Sequence, residues 1–178
     1  ARVISTSQGV TIRAVPCRSV IFRTSWVFGA RGGNFVKTIL RLAREKETLN
    51  VVDDQVGSPT PAALIATVTG VALAMLRQGR AMKREEQRLY HLCCDRPVSW
   101  HEFATTIVAL AGAMPGFGLR LTPEAIRAIP GSEYPTAAAR PLNSRLSCAR
   151  LEHDFGLLMP DWQPYLARML QLLSLKQN

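Results

Sequence analysis

In the run Val20-Ile21-Phe22-Arg23-Thr24-Ser25-Trp26, an indole stands where an apolar stretch ends, and Gly29, Gly32 and Gly33 follow it. An indole can stack on a sugar or a base and offers one N–H. Glycines after it let backbone pass close to a ligand. The competing reading of Trp26 is a core residue capping a sheet. Asn34 opens the next apolar pattern, so a helix N-terminus is expected there. Its free N–H groups can hold an anion, or Asn34 is an ordinary N-cap. In Asp53-Asp54-Gln55-Val56-Gly57-Ser58-Pro59-Thr60, the side chains of Gln55, Ser58 and Thr60 can read a base edge or satisfy a loop. Arg140, in Arg140-Pro141-Leu142-Asn143-Ser144, can pair bidentately with a phosphate. Asn143 and Ser144 serve equally well as turn residues.

No catalytic set follows from spacing. There is no G-x-G-x-x-G and no G-x-S-x-G, and none of Tyr90, Tyr134 and Tyr165 has a lysine four residues on. The histidines His91, His101 and His153 share no metal-ligand spacing, and no C-x-x-C occurs among Cys17, Cys93, Cys94 and Cys148. Neither a metal nor a disulfide framework is expected. Cys93 and Cys94 sit in an apolar run and read as small hydrophobes in a reduced, cytoplasmic protein.

The 178 residues suffice for one sizeable core, and 47% hydrophobic with 20% charged residues describes a globular chain. The net charge of +9 suits acidic partners. The basic residues are dispersed and aromatics make up only 7%, which argues against a nucleic-acid surface. The longest apolar stretch, 61–76, is too short for a membrane span.

These residues must be positioned by alternating strands and helices, which implies an α/β architecture with a largely parallel sheet. Strands are expected near 20–22, 49–52 and 88–94. A helix follows Asn34, with Phe35, Val36, Ile39, Leu40 and Ala43 on one face. A second is expected from Pro61 with Thr60 as N-cap, apolar on nearly all sides and so deeply packed. A third starts at the capping box Ser99-Trp100-His101-Glu102, with Trp100 and Phe103 on its core face. A short helix is expected to start at Thr122-Pro123-Glu124 and another to span 147–155, with an irregular loop over 129–143 and a last helix capped by Asp161. Residues 1–19 have no clear period and form an atypical segment before a body at 20–178.

The segments RTSWVFGARGGNFVKTILRLAREK, VVDDQVGSPTPAALIA, SWHEFA, IPGSEYPTAAARPLNSRL and FGLLMPDW, in this order, resemble the C-terminal part of the dTDP-4-dehydrorhamnose reductases. These belong to the extended short-chain dehydrogenase/reductase family. The resemblance implies the C-terminal portion of a Rossmann-like doubly wound sheet, plus the smaller substrate-binding region, with the N-terminal cofactor-binding half missing. It implies reduction, with NADPH or NADH, of the 4-keto group of dTDP-6-deoxy-L-lyxo-4-hexulose to dTDP-L-rhamnose, for O-antigen and other surface polysaccharides. Trp26 matches the tryptophan that contacts the deoxysugar. Asn34 and Phe35 match the segment enclosing the sugar nucleotide, Gln55 and Ser58 the nucleotide-end loop, and Arg140, Asn143 and Ser144 the late motif beside the site. Thr24 and Ser25 would lie beside the nicotinamide.

The family's pyrophosphate loop and catalytic Tyr-x-x-x-Lys have no counterpart, so no catalytic residue is assigned. The chain is expected to be truncated, joining the family's pattern near Thr11, and inactive alone. The strand at 20–24 is expected to lack flanking strands and to expose an apolar edge, with poor solubility as the outcome. A homodimer or a complementing N-terminal half is the expected partner, besides a dTDP-sugar. The alternative is a non-catalytic sugar-nucleotide-binding or regulatory subunit of the same fold, as in the regulatory subunit of methionine adenosyltransferase.

Overall fold

The computed structural model describes residues 2–5, 19–79, 87–134 and 140–175. Their elements run β1 (Arg2–Ser5), β2 (Ser19–Arg23), β3 (Val27–Phe28), α1 (Phe35–Glu45), β4 (Leu49–Val52), β5 (Val56–Gly57), β6 (Thr60–Pro61), α2 (Ala62–Arg77), β7 (Gln87–His91), β8 (Val98–Ser99), α3 (Trp100–Gly112), β9 (Ile126–Ile129), α4 (Ala149–Phe155) and α5 (Gln163–Ser174). The Thr11 junction, Cys17 and the 135–139 part of the irregular loop lie outside the described residues.

The main sheet is parallel in the order β1-β2-β7. Val20 and Phe22 of β2 are buried, as expected for a strand covered on its faces. The expected bare edge of this strand is overturned: β1 pairs with β2 along Arg2–Ser5, and β7 pairs with its other side. β2 is therefore the central strand, and its backbone groups are satisfied from both flanks.

Helix α1 begins where Asn34 caps it. The Asn34 Oδ1 accepts from the Lys37 N–H at 3.2 Å, and its Nδ2 donates to the Gly29 carbonyl at 2.8 Å. The buried residues Val36, Ile39, Leu40 and Ala43 recur with helical spacing. Ser99 likewise caps α3, accepting from the Glu102 N–H at 3.0 Å. Phe103, Ala104, Ile107, Val108 and Ala111 bury the core face of α3 against α1, α5, β4 and β9. Helix α4 ends at Gly156, which adopts φ +62 as a left-handed C-cap. Asp161 accepts from the Gln163 N–H at the start of α5. There the fully buried Trp162 donates its indole N–H to the Arg96 carbonyl at 3.1 Å.

Three further expectations are corrected. Thr60 is not a helix cap: Thr60 and Pro61 pair in parallel with Val27 and Phe28, and α2 starts one residue later without a side-chain cap. Helix α2 is not deeply packed. Only the stripe Leu64, Val68, Ala72 and Leu76 is buried, because the small residues of the opposite face, such as Ala63, Ala66 and Gly70, face outward. The irregular segment begins only after a strand, β9, which pairs in parallel with β4 from Leu49↔Ile126 to Val52↔Ile129. Among the described residues no helix is long and apolar enough to cross a membrane.

Candidate functional site

β2 delivers Thr24, Ser25 and Trp26 to its carboxyl end, where open α/β sheets place their ligands. Trp26 turns the chain with φ +46, the sole positive φ among the described non-glycine residues. That conformation costs about 1–2 kcal/mol. It is held because the Trp26 carbonyl accepts from the Thr60 N–H at 3.1 Å and because the indole is clamped on both faces. One face lies on Gly57, where an added Cβ would come within 2.5 Å of the ring. The other stacks on Trp100 at 3.4 Å between centroids and 10° between planes. Gly57 is thus needed for close approach, and Trp26 is both a packed residue and the back of an aromatic wall.

That wall continues through Trp100 to Phe35, whose ring lies 4.5 Å from it. Phe35 and Trp100 line a cleft of about 540 Å³ between α1, β4 and the loops after β4 and β9. Gln55, Arg140, Lys46 and Tyr134 also face it, and the lining residues include two cations and no carboxylate. Gln55 is placed by its neighbours. Asp54 accepts from the Gly131 N–H at 2.9 Å, which brings the segment after β9 against the Gln55 amide. The 140–145 segment is fastened to β5, since the Val56 N–H donates to the Leu142 carbonyl and the Ser144 N–H to the Val56 carbonyl, both at 2.8 Å.

The expected site residues therefore divide. Phe35, Gln55 and Arg140 share the cleft, with Trp26 behind its wall. The Asn34 amide is committed to capping α1. Ser58 is buried, and its carbonyl accepts from the Ser25 hydroxyl at 3.0 Å, so this pair ties the loop to the end of β2. Asn143 is exposed and its Oδ1 accepts from the Arg145 backbone and guanidinium, while Ser144 contributes through its backbone. Thr24 carries a buried hydroxyl without a hydrogen-bond partner. Trp100, Lys46 and Tyr134 were not singled out as ligand residues. Trp100 reads as one more core position of α3, and only its half-burial separates it from Phe103.

A polar cluster lies close by. Ser99 donates to Asp53 at 2.5 Å, His101 stands 3.8 Å from the same carboxylate, and the other His101 nitrogen meets the Ile126 carbonyl at 3.0 Å. His101 does not reach Ser99, so the cluster secures β8 and β9 and forms no nucleophilic relay.

The sequence pattern of the RmlD substrate binding domain matches residues 8–175. The chain is 42% identical to a dTDP-4-dehydrorhamnose reductase of Shigella flexneri over 156 residues, which is 88% of this chain and 50% of that protein. It is 46% identical to the enzyme of that name from Burkholderia thailandensis over 142 residues, covering 80% and 47%. Among solved structures it is similar to the reductase ortholog of Clostridium acetobutylicum, with TM-score 0.70 and 30% identity over 86% of this chain and 48% of that one. The Bacillus anthracis reductase in complex with NADP gives 0.68 and 33%, again over 86% and 48%. The chain spans about half the length of the curated relatives it matches.

The Ser25 hydroxyl is engaged with Ser58, which leaves the Thr24 hydroxyl as the one uncommitted polar group of the two expected beside a nicotinamide. No glycine-rich pyrophosphate loop and no Tyr-x-x-x-Lys occur in the sequence.

Proposed function

Since the chain belongs to the RmlD substrate binding domain family, we propose that it forms the sugar-nucleotide-binding part of a dTDP-4-dehydrorhamnose reductase. The supporting observation is the cleft, which combines an aromatic wall, two cations and the side-chain amides of Gln55 and Asn50 with no lining carboxylate. A dTDP-sugar matches each feature. Its diphosphate suits Arg140 and Lys46, with the planar guanidinium of Arg140 able to pair two oxygens. Its rings suit the faces of Phe35 and Trp100. The Gln55 amide offers both a donor and an acceptor to a base edge.

In this reading the chain binds and orients, and it does not complete the reduction. A ketone accepting hydride needs an acid at the developing alkoxide, and the cleft lining offers none in that role apart from the half-exposed Tyr134. The nicotinamide site and the acid belong to the N-terminal half of the family's enzymes, and these 178 residues without that half reduce no dTDP-4-keto sugar. The Rossmann-like half and this one would meet at the carboxyl end of β2, where Thr24 waits unpartnered.

Calorimetric titration of the purified chain with dTDP-L-rhamnose tests the reading. Saturable binding is expected, weakened about 10- to 150-fold by Arg140→Ala, the loss of a charge-assisted hydrogen bond. Binding that Arg140→Ala and Lys46→Ala both leave intact would contradict the assignment.

A further inference from the structure

At the end of β7 lies a thiol pair that sugar-nucleotide binding does not use. Cys93 follows β7 and is fully buried, whereas Cys148 is half-buried and immediately precedes α4. Although 55 residues apart in sequence, their sulfurs stand 3.5 Å from each other. Both are free thiols. We propose that Cys93 and Cys148 are an oxidative modification site: exposed to a peroxide, they form an intramolecular disulfide that fastens the 140–148 segment to the end of β7.

The geometry assigns the two sulfurs different roles. The Cys93 backbone N–H donates to the Cys148 sulfur at 3.3 Å, and the Cys93 thiol can donate to it as well. Both bonds favour a thiolate at Cys148, and its pKa is accordingly lowered, chiefly by the Cys93 thiol. Cys93 is shifted strongly upward, first by its hydrogen bond with Cys148 and then by burial. Cys148 is therefore the attacking sulfur and Cys93 the resolving one. Its neighbour Cys94 is buried and pushed up to about 12, mainly by desolvation, and has no sulfur contact of this kind.

The chemistry balances with the peroxide as oxidant. The Cys148 thiolate attacks one peroxide oxygen, the O–O bond breaks, and the departing hydroxide is protonated to water. This leaves a sulfenic acid on Cys148. The Cys93 sulfur then attacks the Cys148 sulfur, the S–O bond breaks, and the Cys93 proton leaves with that oxygen as a second water. Two thiols lose two electrons and one peroxide gains them. The sulfurs must close from 3.5 Å to the covalent length of about 2.05 Å.

The consequence reaches the cleft. In the reduced chain the Cys93 sulfur also stands 3.4 Å from the Leu146 carbonyl, an alternative acceptor for its thiol. The disulfide replaces this weak bonding by a covalent tie beside the segment that carries Arg140, whose backbone is pinned to Val56 at Leu142 and Ser144. Opening of that segment is then restricted. The inference is independent of which ligand the cleft takes.

The test is peptide mapping without reductant, after treating the reduced chain with hydrogen peroxide and alkylating it. A Cys93–Cys148 linked peptide is expected, with two of the four thiols lost. Cys148→Ser should abolish the link and slow thiol loss about tenfold, while Cys94→Ser should leave both unchanged. Hydrogen exchange at the Val56 and Ser144 amides should slow on oxidation. Links through Cys17 or Cys94, links between chains, or Cys148 accumulating as sulfinic acid without a link would overturn the proposal. Unchanged exchange at those two amides would overturn the fastening.

Discussion

Gly57→Ala places a methyl group against Trp26, whose backbone is already strained. The new Cβ would lie 2.5 Å from Cε2 of Trp26 and 2.7 Å from its Cζ2 and Nε1. Carbon contacts are normally about 3.5–4.0 Å, so the indole must retreat by about 1 Å. It cannot retreat freely, because Trp100 stacks on its other face at 3.4 Å and Phe35 supports Trp100. Overpacking of this kind costs about 1–3 kcal/mol. That is about a 5- to 150-fold loss in the folding equilibrium, or about 2–12 °C in midpoint for a chain of this size. Urea unfolding followed by near-ultraviolet circular dichroism measures the cost, and the same experiment on Trp26→Phe measures the coupling. A phenyl ring occupies less of the space the methyl needs, so the cost of Gly57→Ala should shrink by about 1 kcal/mol or more in that background. Gly70→Ala is the control. It lies exposed within α2 with nothing within 4 Å of its added Cβ, and should stabilise by about 0.5–1 kcal/mol. An unchanged midpoint for Gly57→Ala, or an equal cost in both backgrounds, would refute the clamped indole.

Asn34→Ala should cost about 0.5–2 kcal/mol in chemical unfolding, because it removes the α1 cap and the bond to the Gly29 carbonyl. Trp162→Ala should cost about 3–5 kcal/mol in the same assay, since a fully buried indole with its N–H satisfied leaves both a cavity and an orphaned carbonyl. Cys94 predicts an alkaline limit. Its thiol shifts from 9.0 to about 12 on folding, mostly by burial, so only the unfolded chain ionises it between those values. The stability it contributes is complete below pH 9 and is lost as pH rises to about 12, at up to about 1.4 kcal/mol per pH unit. Unfolding of Cys94→Ala across that window should show a shallower decline than the parent.

The helices that hold the cleft were legible because their signals are local. Asn34 before Val36, Ile39, Leu40 and Ala43, and Ser99 before Phe103, Ile107 and Val108, state a cap and a buried stripe within a dozen residues. The pairings of Val27–Phe28 with Thr60–Pro61 and of Val56–Gly57 with Val98–Ser99 were not legible, since a two-residue ladder leaves no period. β9 was hidden for a related reason: only Ile126 is buried, and Pro123 and Pro130 bracket it as if it were a loop. Alternation at β1 is equally weak, and its pairing with β2 removes the bare edge that the sequence suggested. At the site, Gln55 and Arg140 were legible from their chemistry and loop context, and Phe35 through the resemblance. Trp100 escaped because helical spacing assigns it to the core, and it is in fact the boundary between core and cleft. The Cys93–Cys148 contact depends on tertiary packing alone and has no signal in the spacing.

The most direct measurement of the central claim uses the three tryptophans as reporters. Trp100 lines the cleft, Trp26 stacks on it, and Trp162 is fully buried with its N–H on the Arg96 carbonyl. In a two-dimensional NMR titration with dTDP-L-rhamnose, the indole N–H signals of Trp100 and Trp26 should move saturably, and that of Trp162 should stay in place. Signals that do not move, or three that move alike, would contradict a sugar nucleotide seated against this wall.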